Sequence, residues 1–316
     1  MKLILRLIAV LLALPLLAAC AYIVVNWQPE RSVAQLAPKW APSPSRFLAL
    51  DGMNVHLRDE GPRDDRSPIV LLHGTSASLH TWQGWTDVLK TQRRVIRLDL
   101  PGFGLTGPFP EDDYTLDHYV RFMTHFVDAL GLSEFVLVGN SFGGNVAWHV
   151  AAALPQRVQR LILVDAGGYA YKPKSVPIGF RLAQIPGVRS IASRVLPRSL
   201  IESSVRNVYG DPSKVTPGLI DRYFELTLRE GNRRALGKRF QQAVPGDDVR
   251  LVTGLELPTL ILWGAKDQLI PRENGQRFRR EIRGSQLVVL EGLGHVPQEE
   301  DALRSLAPVK VFLGLK

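Results

Sequence analysis

The chain is predicted to be an α/β protein. It should have a mainly parallel, twisted sheet with helices on both faces, a helical cap insertion and a membrane helix in front. Three observations predict this. Continuous apolar runs such as Pro68–Leu72 and Phe135–Val138 recur along the sequence, as in strands buried on both faces. Between them lie segments with apolar residues at helical spacing. Strand and helix patterns in alternation imply parallel strands joined by crossover helices.

The first element is a targeting segment. Lys2 and Arg6 precede an uncharged apolar run from Leu7 to Trp27, 21 residues long. As a helix it would span about 31 Å, enough for a bilayer core. With basic residues only on its N-terminal side, positive-inside logic exports the remainder of the chain. Leu17-Ala18-Ala19-Cys20 also matches the lipobox of bacterial lipoproteins, and Cys20 is the sole cysteine. Anchored, or acylated at Cys20, the body is expected outside the cytoplasm, on the periplasmic or extracellular side. A body without cysteine suits an oxidising space. Residues 28–46 contain Pro29, Pro38, Pro42 and Pro44 and are expected to form a semi-extended tether.

The body, 47–316, opens with a hairpin, Phe47–Asp51 and Met53–Arg58, around Asp51-Gly52. Buried strands come next at Pro68–Leu72, Val95–Leu100, Phe135–Val138, Leu161–Val164, Thr259–Trp263 and Gln286–Leu290. Helices are predicted over Leu116–Leu130, Phe142–Leu154, Arg272–Arg283 and Gln298–Leu313. Residues 169–250 lack strand runs and carry short helical patterns broken by Pro and Gly. They are expected to form a cap inserted between two core strands.

Composition narrows the function. Hydrophobic residues make up 45% and charged residues 22%, which excludes disordered, collagenous and multi-span membrane chains. One cysteine excludes a disulfide framework and a thiolate metal cluster. The net charge of +9 is concentrated in the cap: residues 171–250 hold 15 Lys and Arg against 7 Asp and Glu. No nucleic-acid-binding motif accompanies it. That charge is either a solvated face or a membrane contact. In the second case Arg229, Arg233, Arg234, Lys238 and Arg239, interleaved with Phe224, Leu226, Leu228 and Phe240, would rest on an anionic bilayer.

The chemistry centres on Gly139-Asn140-Ser141-Phe142-Gly143, between a predicted strand and a predicted helix. A G-x-S-x-G turn in that context projects its serine above the sheet, at a helix N-terminus that favours an oxyanion. A serine nucleophile needs a base, and the base needs an orienting acid. His295 lies just past the strand Gln286–Leu290 and Asp267 just past Thr259–Trp263. Residues just beyond parallel strand C-termini gather at one edge. Asp165, ending Leu161–Val164, is the rival acid. The remaining histidines show no metal-ligand spacing, so neither metal nor cofactor is expected.

With His73-Gly74-Thr75, Asp99-Leu100-Pro101-Gly102-Phe103-Gly104, Gly139–Gly143, Gly264–Asp267 and Gly294-His295 in this order, residues 47–316 resemble the α/β-hydrolase superfamily. The likeness is to its capped branch of esterases, lipases and carbon–carbon bond hydrolases. The resemblance implies a Ser141–His295–Asp267 triad with oxyanion N–H groups from Phe142 and Thr75; Ser76 is the alternative to Thr75. It also implies that His73 and Asp99 are structural. The expected activity is carboxylic-ester hydrolysis through an acyl-enzyme, on a small-molecule, acyl or lipid-like substrate. Carbon–carbon bond hydrolysis of the meta-cleavage-product type and a non-catalytic binding role are the alternatives. Asn140 before the serine favours the former, whereas Thr75-Ser76-Ala77-Ser78 replaces the glycine-rich loop of such enzymes.

Overall fold

The computed structural model describes residues 13–15, 17, 18, 20–183, 194–244, 246 and 248–315. Its eight strands are β1 Arg46–Leu50, β2 Met53–Glu60, β3 Ile69–Leu72, β4 Val95–Leu98, β5 Phe135–Asn140, β6 Val158–Val164, β7 Thr259–Gly264 and β8 Gln286–Leu290. They form one sheet in the order β1-β2-β4-β3-β5-β6-β7-β8. Strands β3 to β8 are parallel, and β2 runs antiparallel to both of its neighbours.

The uninterrupted apolar runs have a direct cause. Side chains alternate across a strand, and each face of this sheet meets its own core. Val70, Leu72, Phe135 and Leu137 enter one cluster. Ile69, Leu71, Val136 and Val138 enter the other. The helices α1 to α4 are Val33–Trp40, Gln83–Leu89, Leu116–Ala129 and Phe142–Ala153. Tyr119, Phe122, Met123 and Phe126 of α3 and Val146, Ala147 and Val150 of α4 pack on the first face. Trp82, together with Trp85 and Leu89 of α2, covers the second.

Between β6 and β7 lie α5 Ile178–Ala183, α6 Arg198–Val208, α7 Pro217–Thr227 and α8 Asn232–Gln242, and no strand occurs there among the described residues. The order closes with α9 Arg272–Glu281, α10 Pro297–Glu300 and α11 Ala302–Leu313. The single helix expected over Gln298–Leu313 is two helices. Asp301 has extended backbone (φ −150°, ψ 84°), and its carboxylate accepts from the Arg304 N–H to cap α11. The short α2 has too few residues to show a period and is absent from the sequence reading.

Two expectations, for the tether and for the basic cap, are corrected, and the expected membrane helix lies partly outside the described residues. Among the described residues no helix is long and apolar enough to cross a membrane. Of the predicted Leu7–Trp27 span, residues 7–12, 16 and 19 lie outside the described residues; residues 20–25, including exposed Cys20, are helical. The run ends docked on the protein: Trp27 pairs with Val195, and the Gln28 N–H donates to the Arg194 carbonyl at 2.8 Å. The tether is not semi-extended throughout, because α1 forms within it. Ser32 and Gln35 build a capping box, and Leu36 packs against Leu105 and Leu226. Pro38 is accommodated inside this helix.

The basic cap residues do not make a free membrane-facing stripe. Arg234 pairs with Asp112, Arg229 donates to the Thr106 carbonyl, Arg233 to the Gln28 carbonyl, and Arg239 is buried. Phe224, Leu226 and Leu228 are buried. Most of this basic set fastens the cap to the body.

Candidate active site

Ser141 is the single residue between β5 and α4, and it has φ +55° and ψ −118°. A left-handed backbone on a residue with a Cβ is strained, and the turn tolerates it because both flanking glycines are closely approached. A Cβ on Gly139 would lie 2.2 Å from the Gly143 carbonyl oxygen, and one on Gly143 would lie 2.4 Å from the His73 and Leu72 carbonyl oxygens. Gly139→Ala is therefore expected to destabilise the fold by about 3 kcal/mol or more. Urea denaturation measures this; an unchanged midpoint would show that the packing at the turn is looser than described. The turn is tied to β6 by the Ser141 N–H, which donates to the Val164 carbonyl at 3.0 Å.

His295 and Asp267 are brought together. Nδ1 of His295 lies 2.7 Å from Oδ2 of Asp267. The other carboxylate oxygen accepts from the Leu269 and Ile270 N–H groups at 2.8 and 3.0 Å, so the acid is fixed in place. A carboxylate at Nδ1 selects the Nδ1–H tautomer and leaves Nε2 as an acceptor. Nε2 is buried without a partner among the described residues. His295 and Ser141 line the same cavity. Asn140 joins their loops: its Nδ2 donates to the Val164 carbonyl at 3.1 Å and to the His295 carbonyl at 3.0 Å.

Asp165 sits beneath this pair. Its Oδ1 accepts from the Gly264 N–H at 2.8 Å, and no hydrogen bond links it to His295 among the described residues. Burial, reinforced by the negative charge of Asp267, pushes its carboxyl well above the usual carboxylate range. As a carboxylate its Oδ2 has no donor; as an acid its O–H is available to Asp267. A carboxyl whose folded-state pKa is raised favours folding at low pH, and that advantage fades as pH climbs above about 3.9. Asp165→Asn, which holds the neutral shape at every pH, is expected to raise Tm at pH 7–8 by about 2–4 °C. Its stability should also vary less with pH. Melts across pH 4 to 8 that run parallel for both proteins would refute a protonated Asp165.

On the opposite wall, Thr75 and Ser76 both line the cavity. A Cβ on Gly74 would lie 3.0 Å from the Ser141 Cβ, so the loop passes directly over the serine. His73 holds it there: Nδ1–H donates to the Gly74 carbonyl at 2.7 Å, and Nε2 accepts from the Leu100 N–H at 3.0 Å. Burial lowers the His73 pKa and keeps the ring neutral, as those two bonds require. Asp99 accepts from the Leu79 and Leu105 N–H groups and meets His56 Nδ1. Both residues brace the loops around the serine. Phe142 opens α4, with its N–H at the helix start.

Among the described residues, one group has donors close enough for a metal ion, Asp165, Asp267 and His295, whose ligand atoms lie within 4.8 Å of one another. Hydrogen bonds already account for both oxygens of Asp267. The cavity above has a volume of about 1080 Å³, with Ile178, Phe180, Leu200, Val208, Leu236 and Leu269 in its walls.

The sequence reading missed two participants. Glu300 is buried and accepts from the N–H groups of Gly294, beside His295, and of Gly210 and Asp211 after α6, at 2.8 to 2.9 Å. Arg239 donates to the Thr75 hydroxyl. The only signal for Glu300 was a pair of acids one turn beyond the histidine.

The sequence profile of the alpha/beta hydrolase fold family matches residues 67–302. The chain is an α/β hydrolase. A 2-hydroxy-6-oxo-2,4-heptadienoate hydrolase of Pseudomonas putida is 30% identical over 281 residues, 85% of this chain and 95% of that one. A monoacylglycerol lipase of Xenopus laevis is 28% identical over 291 residues, 85% of this chain and 81% of its own. Among solved structures, a bacterial membrane phospholipase A superposes with a TM-score of 0.73 at 23% identity, covering 98% of this hydrolase and 97% of that chain.

Proposed function

We propose that this hydrolase cleaves carboxylic esters with apolar acyl groups through an acyl-enzyme on Ser141. The Ser141 oxygen attacks the ester carbonyl while His295 Nε2 takes its proton. Asp267 holds the imidazole and stabilises its charge. The carbonyl electron pair moves onto oxygen, where the N–H groups of Phe142 and Thr75 receive it. Collapse of this intermediate breaks the bond to the alcohol, which leaves with the proton from His295. Water, deprotonated by the same imidazole, then releases the acid.

The observation that carries the proposal is the cavity: Ser141 and the buried, carboxylate-bound His295 line one large space with predominantly aliphatic and aromatic walls. Such walls suit a hydrocarbon chain. The likeness to a monoacylglycerol lipase supports it. The likeness to a heptadienoate hydrolase, together with Asn140, favours carbon–carbon cleavage as the second reading. Against that, the Asn140 amide is committed to two backbone carbonyls. A series of p-nitrophenyl esters from acetate to dodecanoate decides between them. Expected is a rise in kcat/KM of at least about tenfold from two to eight carbons, as methylenes enter the cavity. Cleavage of a vinylogous 1,5-diketo acid with no ester turnover would overturn the proposal.

A further inference from the structure

Arg239 lies on α8, and its position is unusual for an arginine. It is 7% exposed, its Nη2 donates to Thr75 Oγ1 at 2.9 Å, and its Nε is buried without a partner among the described residues. The guanidinium carbon stands 4.3 Å from the Phe142 ring centroid and 4.7 Å from that of Phe240. Among the described residues no carboxylate forms an ion pair with it; its titratable neighbours are Tyr119 and Tyr171, whose phenols burial keeps neutral. Burial brings its pKa down to about 10, which still leaves it charged at neutral pH.

A buried cation without a counter-ion is costly, and an anion that forms nearby gains what the cation lacks. Two of the residues this guanidinium touches, Thr75 and Phe142, are the proposed oxyanion donors. We propose that Arg239 is a positioning residue of the oxyanion hole, holding Thr75 by its hydroxyl and placing a fixed positive charge behind the two N–H donors. This rests on the proposed acyl-transfer mechanism and adds the source of its electrostatic bias. The counter-ion of Arg239 is then the oxyanion itself. Because that charge exists only during reaction, Arg239 raises kcat and leaves ground-state binding nearly untouched.

The test uses the full chain with p-nitrophenyl butyrate, and phenylboronic acid as a probe that becomes a tetrahedral anion on the serine. Arg239→Gln is expected to lower kcat about 10- to 100-fold with KM within about threefold, and to weaken boronate inhibition in parallel. Arg239→Lys keeps the charge but not the planar stack, and should remain within about tenfold of the parent kcat. Thr75→Val removes the hydroxyl and keeps the N–H. It should lower kcat by less than Arg239→Gln, and the double variant should lose less than the two losses combined. These two milder variants carry the test if Arg239→Gln does not fold, as judged by thermal melting. A rise in KM alone, boronate affinity unaffected by Arg239→Gln, or Lys no better than Gln overturns the proposal. Ester turnover that survives Ser141→Ala would instead overturn the mechanism beneath it.

Discussion

Replacing Ser141 by alanine is expected to lower kcat on p-nitrophenyl esters by more than about 1,000-fold. Other serines, Ser76, Ser199, Ser203 and Ser204, also line the cavity, so the presence of a hydroxyl does not single out residue 141. Its surroundings do. Ser141 occupies the strained turn between β5 and α4, and the adjacent Asn140 binds the carbonyl of His295. The alanine variant should still fold, because the serine hydroxyl makes no capping bond. A fluorophosphonate probe gives an independent measurement. It should label the parent once per chain and leave the variant unlabelled. Labelling of a cap serine, or turnover unaffected in the variant, would refute the assignment.

Asp267→Asn should cost about 1,000- to 10,000-fold in kcat at neutral pH. The carboxylate enforces the Nδ1–H tautomer, whereas an amide can turn its NH₂ toward Nδ1. That would place the imidazole proton on Nε2, where it blocks proton transfer from Ser141. Asp165→Asn is the control. With no hydrogen bond to His295 among the described residues and a carboxyl that burial pushes well above the usual range, Asp165 should tolerate the change within about tenfold. If the two losses were reversed, Asp165 would be the acid and the 2.7 Å contact of Asp267 would be incidental. Steady-state kinetics of the two variants side by side separates these outcomes.

The sheet was legible because its physics is local. A strand buried on both faces is apolar at nearly every position, and Ile69–Leu72 or Leu161–Val164 announce this in four letters. The site was legible for a related reason. Parallel strands deliver their C-terminal loops to one edge, so Ser141, Asp267 and His295 share an address set by topology. What escaped depended on distant partners. Pro38 argued against helix, yet Ser32 and Gln35 cap α1 and Leu36 finds a hydrophobic seat supplied by residues 105 and 226. The arginines of α8 looked like a charged surface, because nothing nearby in sequence reveals Asp112, the Gln28 carbonyl or Thr75 as their acceptors. Asp301 looked like one more residue of a continuous helix, although its side chain starts a new one.

The clasp made by Glu300 has a mechanical consequence. One carboxylate grips the loop of the base and the stretch after α6, and the His295 N–H itself reaches the Val208 carbonyl at 2.8 Å. Roof and proton acceptor therefore travel as one piece. Lifting α6 to admit a ligand would drag the imidazole off its aspartate and idle the machinery while the gate stood ajar. Trp27 and Arg194, stacked with the guanidinium carbon 5.8 Å from the ring centroid, line a part of the cavity wall that this clasp does not hold.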